Sequence, residues 1–129
     1  MRPRILIIDD DPQIHKLLTK MLSPARFDVV NAMSADEGRA QIAERQPDLI
    51  ILDLMMPKVS GEQLCREIKG DKRLKDILVL ILTAKEGQAD RIAGLKLGAD
   101  DYITKPFYMA SLVRKVDYML EKKREIQDV

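Results

Sequence analysis

Six polar side chains, scattered along the sequence, stand at the ends of apolar runs where they can act together. The stretch "RILIIDDDPQ" places Asp9, Asp10 and Asp11 directly after one run. Asp53 closes a second in "LIILDLMM", Thr83 a third in "ILTAKE", and Lys105 follows a fourth in "YITKPF". A helix start needs only one capping acid, and Asp11 before Pro12 fits it, with proline in the first helical position. Asp9 and Asp10 are left over. Asp53 resists a bland reading too, because a carboxylate at the end of a buried strand is costly unless paired or ligated. Asp9, Asp10 and Asp53 together make a cluster of hard oxygen donors. Such a cluster suits Mg2+, which keeps several waters and takes one or two carboxylates, with Mn2+ as an alternative. Opposite it, Lys105 reads as an ion-pair partner and the Thr83 hydroxyl as a donor to an anion. The Lys105–Pro106 bond is a candidate cis peptide that would aim the lysine back over the acids.

These residues meet only if the strands that carry them run side by side in one direction. Apolar runs recur at Ile5–Ile8, Val29–Ala32, Leu49–Leu52, Ile77–Leu82 and Tyr102–Thr104. Helical stretches lie between them. Ile14, Leu17, Leu18 and Met21 form one stripe. Ser34 with Glu37 reads as a capping box opening a helix to Arg45, and Ser60 with Gln63 opens another over Gly61–Lys69. Ile92, Leu95 and Leu97 mark a fourth helix stopped at Gly98, and Met109 to Ile126 a fifth. Alternating strands and helices imply right-handed crossovers and a parallel sheet. The expectation is a single doubly wound α/β domain, (βα)5, with a five-stranded parallel sheet in the order 2-1-3-4-5 and helices on both faces. In that order ligands bind outside the carboxyl ends of strands 1 and 3, where the acids fall.

Composition narrows the function classes. The chain has 129 residues, a length suited to one domain, with 46% hydrophobic and 33% charged residues and a formal net charge of +1. That balance argues against general binding to nucleic acid or to a membrane surface. No apolar run has the length of a signal peptide or membrane span, so a cytoplasmic protein is expected. Cys65 is the sole cysteine and allows no internal disulfide; it reads as a small apolar residue on a helix. His15 is the sole histidine, expected on a helix surface, which leaves histidine-based metal or general-base chemistry thin. Met21, Met33, Met55 and Met56 read as packing.

Taken in order and spacing, "ILIIDDD", "PDLIILDLMMPKVSGEQL", "ILTA" and "GADDYITKPF" resemble the receiver domain of two-component response regulators, over residues 3 to 122. The resemblance implies residue roles. Asp53 matches the phosphoacceptor, Asp10 the direct magnesium ligand, and Asp9 the acid that helps to hold the ion. The Met55 backbone carbonyl matches a further ligand. Lys105 matches the lysine that pairs with the acceptor and then with the phosphoryl group. Thr83 and Tyr102 match the switch pair that biases the face made by the fourth helix, fifth strand and last helix. Asp11, Ile14 and Pro106 lie where relatives dock a histidine kinase or histidine phosphotransfer protein, although Ile14 reads equally well as packing. Met55 and Lys85 flank the expected path of hydrolytic water and imply a moderately long-lived phosphoryl group.

Residues 1–122 are then the receiver domain and 123–129 an extension of its last helix. No room is left for an output domain, so the chain is either a stand-alone receiver or a fragment. A homodimer through the switch face would use Lys96, Asp100, Asp101 and Arg114; direct nucleic-acid or membrane contact is not expected. The other readings weighed are a flavin-binding redox domain, a dehalogenase-type phosphatase and a receiver-like interaction module that takes no phosphate. The acids after strand 1 would repel a flavin phosphate, the acceptor lies on the wrong strand for the phosphatase, and the third reading fits poorly with Asp10, Asp53 and Lys105 all present.

Overall fold

The structure, a computed structural model, describes residues 2–22, 24–54, 56, 60–83 and 98–127, with Ser60, Thr83 and Gln127 described in their backbone only. Apolar strands alternate with amphipathic helices in the order β1 (Arg4–Ile8), α1 (Pro12–Met21), β2 (Asp28–Ala32), α2 (Ala35–Glu44), β3 (Leu49–Asp53), α3 (Ser60–Gly70), β4 (Leu78–Thr83), β5 (Asp101–Thr104) and α4 (Met109–Gln127). The helix expected around Ile92, Leu95 and Leu97 lies outside the described residues. The five strands form one parallel sheet in the order β2-β1-β3-β4-β5.

Side chains alternate between the faces of the sheet, and each face is covered. Leu6, Ile8, Ile50, Leu52, Val79 and Ile81 pack against Ile42 of α2 and Leu64 and Ile68 of α3. Ile5, Ile7, Leu49, Ile51, Leu80, Leu82 and Ile103 pack against Leu18 of α1 and Leu112, Val116 and Met119 of α4. Burial on both sides explains why these strands read as unbroken apolar runs. Each fully buried leucine or isoleucine contributes about 1.5–3 kcal/mol relative to exposure.

Capping fixes where the helices begin. The Asp11 carboxylate accepts from the Gln13 N–H at 2.9 Å, and the Ser34 hydroxyl oxygen accepts from the Glu37 N–H at 3.1 Å. An ion pair sets the base of β5. Lys69 Nζ is 2.6 Å from Asp100 Oδ2 and donates to the Ile77 carbonyl at 2.7 Å, while Asp100 accepts from the Val79 N–H at 2.8 Å. The C-terminal end of α3 thus ties the start of β4 to the entry of β5. Gly98, two residues before Asp100, has φ = 89°, a left-handed conformation that a side chain disfavours.

One helix is turned relative to expectation. Leu17 is 38% exposed, whereas His15 is 7% exposed and Leu18 and Leu22 are fully buried. The inward face of α1 therefore runs through His15, Leu18 and Leu22, with Ile14 packed at its edge. An apolarity pattern cannot show this, because His15 is buried by hydrogen bonding and Leu17 is left outside.

Cys65 lies fully buried on α3, and burial pushes its thiol up to about 11. A buried, protonated thiol is a poor nucleophile. At pH 8 a disulfide-exchange reagent should label the native protein slowly and label one thiol at once on adding denaturant. Fast stoichiometric labelling of native protein, followed by absorbance, contradicts this placement.

Candidate functional site

The register of the sheet brings the acids together. Ile8 pairs with Leu52, so Asp9 and Asp53, each one residue further on, leave adjacent strands side by side. Asp9 follows β1, Asp53 ends β3, and Lys105 follows β5. One carboxylate oxygen from each of Asp9, Asp10 and Asp53 lies within 4.8 Å of the others. Lys105 Nζ reaches over them, 3.3 Å from Asp9 Oδ2 and 3.5 Å from Asp53 Oδ2. The Lys105–Pro106 peptide is cis.

The three acids of the first turn have different surroundings. Asp9 is fully buried; its Oδ1 accepts from the Asp11 N–H at 2.9 Å and its Oδ2 faces Lys105. Asp10 is exposed at the mouth of the cluster, and Asp11 is exposed as the cap of α1. Burial raises the Asp9 carboxyl above the usual range. The Asp11 N–H and Lys105 oppose that shift, and the like charge of Asp53 adds to it. Three carboxyl groups face one lysine among these four residues, so acid outnumbers base there. A cation placed there would reverse the cost of ionising the buried pair.

The remaining candidates divide. Thr83 ends β4, beside Thr104 of β5 in register, but its hydroxyl lies outside what is described. Met55, Lys85 and Lys96 lie outside the described residues. Tyr102 is half-buried on β5 and packs against the α2–α3 side of the core, with Lys115 Nζ 5.8 Å from its ring centroid. Ile14 is half-buried against the α1–α4 side, and Pro106 is exposed.

Two residues with a part in this geometry were not legible as such. His15 Nε2 is 2.7 Å from the Asp9 carbonyl oxygen, and Nδ1 is 2.5 Å from Asn31 Oδ1. Gly61, in the first turn of α3, abuts the end of β3. A Cβ there would stand 2.6 Å from the Asp53 carbonyl oxygen and 3.0 Å from Leu54 Cα. A glycine just after a serine expected to cap the helix was the available signal, but only the fold shows the strand behind it.

Comparison with known proteins decides the family. The profile described as "Response regulator receiver domain" matches residues 5–117. The chain belongs to this receiver domain family. Over 124 residues it is 46% identical to the DNA-binding dual master transcriptional regulator RpaA of Synechocystis, covering 96% of this chain and 52% of that protein. Over 118 residues it is 41% identical to the phosphate regulon transcriptional regulatory protein PhoB of Pseudomonas aeruginosa, covering 92% and 52% respectively. The receiver thus spans about half the length of these relatives. It also superposes on solved structures. One is the receiver domain of a histidine kinase from Syntrophus aciditrophicus (TM-score 0.85, 33% identity, 93% of this chain and 91% of that one). Another is the response regulator DrrB, a Thermotoga maritima OmpR/PhoB homologue (TM-score 0.85, 30% identity, 95% and 54%).

Receiver domains of response regulators are phosphoacceptors that work with histidine kinases or phosphotransfer proteins and bind Mg2+ in an acidic pocket. The all-oxygen cluster of Asp9, Asp10 and Asp53 has the donor chemistry for that ion. No described helix is long and apolar enough to cross a membrane.

Gly61→Ala should destabilise the receiver by about 1–3 kcal/mol, because the added methyl meets backbone that cannot step aside. Urea unfolding measures it, and an unchanged midpoint would show that α3 can retreat from β3.

Proposed function

We propose that the chain accepts a phosphoryl group on Asp53 from the phosphohistidine of a histidine kinase or a histidine phosphotransfer protein. The observation that carries this reading is the Lys105 ammonium lying between the buried Asp9 and Asp53 carboxylates, beside the Asp10 carboxylate. Asp53 is the nucleophile. One of its carboxylate oxygens forms the new bond to phosphorus as the donor's P–N bond breaks, and the departing imidazole keeps the bonding pair and takes a proton. Attack of an anion on an anionic phosphoryl group needs positive charge on the equatorial oxygens. Lys105 supplies one such charge, near enough to pass from the Asp53 carboxylate to the phosphoryl oxygens. Bound by Asp9, Asp10 and Asp53, with the Met55 carbonyl as a further ligand outside the described residues, Mg2+ (or Mn2+) would supply the rest of that charge neutralisation.

The product is an acyl phosphate, which the receiver also loses slowly to water; it is a self-modifying substrate and not a turnover enzyme. The new anion would draw the Thr83 hydroxyl, and Tyr102 would follow, biasing the face that includes β5 and α4. Asp11, Ile14 and Pro106 are assigned to donor docking, and Asp100, Asp101 and Arg114 to contact with a second copy. The setting is the cytoplasm. No direct contact with nucleic acid is assigned to this chain.

Incubation with Mg2+ and acetyl phosphate should add the mass of one phosphoryl group, and Asp53→Asn should abolish the gain. Undiminished labelling of the variant at the same position sinks the assignment. The acids also separate by role. Asp10→Ala should remove most Mg2+ binding and phosphorylation, whereas Asp11→Ala should cost about 0.5–2 kcal/mol of stability through its lost cap. Equal loss of Mg2+ affinity in both, by titration calorimetry, would show that the division is wrong.

A further inference from the structure

We propose that His15 is a positioning residue of the acidic pocket, holding the peptide plane that joins Asp9 to Asp10. This inference rests on the phosphoacceptor reading above and assigns a role to a residue that the reading does not use. His15 is 7% exposed, on the inward face of α1. Its Nε2 is 2.7 Å from the Asp9 carbonyl oxygen. A carbonyl oxygen only accepts, so Nε2 carries the proton and donates. The other ring nitrogen lies 2.5 Å from the Asn31 amide on β2, which in turn lies 3.4–3.5 Å from the Thr19 hydroxyl. The imidazole therefore bridges α1, β2 and the end of β1.

The bond falls on a mechanically sensitive atom. The Asp9 carbonyl belongs to the same planar peptide as the Asp10 N–H. Fixing that plane fixes ψ of Asp9 and φ of Asp10, and so the directions in which both carboxylates leave the chain. Around it, the Asp9 N–H donates to the Ala32 carbonyl at 3.2 Å, and the Asp9 carboxylate is held by the Asp11 N–H and Lys105. Of these contacts, the Asp11 N–H bond closes a turn across the Asp9–Asp10 peptide, and the His15 bond alone falls on an atom of that peptide itself. Without the imidazole, neighbouring carboxylates of like charge would relax their repulsion by turning that peptide and separating. His15 holds them converged before a cation arrives. Its partner groups act as in sites where an outer hydrogen bond orients a metal ligand.

The test compares His15→Leu, His15→Gln and His15→Asn with wild type. Glutamine places an N–H near the position of Nε2 and reaches the carbonyl; leucine cannot donate, and asparagine is too short. Two quantities are read: ordering of the Asp10 amide in metal-free protein by 15N relaxation, and Mg2+ affinity by calorimetry. Leu and Asn variants should show a mobile Asp10 amide and Mg2+ affinity lower by about tenfold or more, the scale usual for residues that orient metal ligands. The Gln variant should stay near wild type in both. Ile42→Val, on the opposite side of the sheet, should lower the melting temperature and move neither quantity. If His15→Leu does not fold, the Asn and Gln pair decides. Wild-type amide order or Mg2+ affinity in the Leu or Asn variant, or equal behaviour of Asn and Gln, overturns the proposal. A wild-type protein that fails to bind Mg2+ refutes the phosphoacceptor reading instead, and the Asp10 amide alone then judges His15.

Discussion

Asp9 and Asp53 are held out of water on neighbouring strands, and the only charge of opposite sign within reach among the described residues is Lys105. Buried like charges are unfavourable, so the arrangement persists only because the rest of the fold holds it. Burial of the strands on both faces supplies the rigidity. Lys105 must arrive from the far edge of the sheet, which requires β5 to be placed against β4 with its register fixed. The Lys69–Asp100 clamp does this at the opposite end of the strand. The strand that delivers Lys105 to the site is thus anchored at its other end by this ion pair.

The same constraint accounts for the close approach of α3. Gly61 lets the helix start directly against the Asp53 and Leu54 backbone, so β3 cannot shift there without moving the helix. On the other side of the site, α1 begins at the Asp11 cap and returns His15 onto the Asp9 carbonyl. Each buried acid is thus backed by a helix that begins soon after its strand. Stability and function share these atoms: contacts that fix the backbone also aim the carboxylates.

Much of the fold was legible because its signals are local. Apolar runs of strand length, capping residues at Asp11 and Ser34, and a proline in the first helical position state where elements begin. The convergence of Asp9, Asp10, Asp53 and Lys105 followed once strand ends were placed on one edge of a doubly wound sheet. His15 was misplaced for a physical reason. Its burial depends on two hydrogen-bond partners, the Asp9 carbonyl and the Asn31 side chain, that lie on other elements. Polarity alone counts histidine as an outward residue, and Leu17 as an inward one.

By itself the sequence determined which residue types were available for phosphoryl chemistry and the order in which strands deliver them, since both depend on composition and short-range periodicity. The sequence already set Asp11 apart as the helix cap, and only the tertiary structure decided how buried Asp9 and exposed Asp10 differ. Asp9 is buried against Lys105, Asp10 stands at the exposed mouth, and Asp11 caps a helix. Their chemistry is identical along the chain. What separates them is access to water and the partner within hydrogen-bond reach, and residues as distant as Lys105 and Asn31 set both directly or through His15.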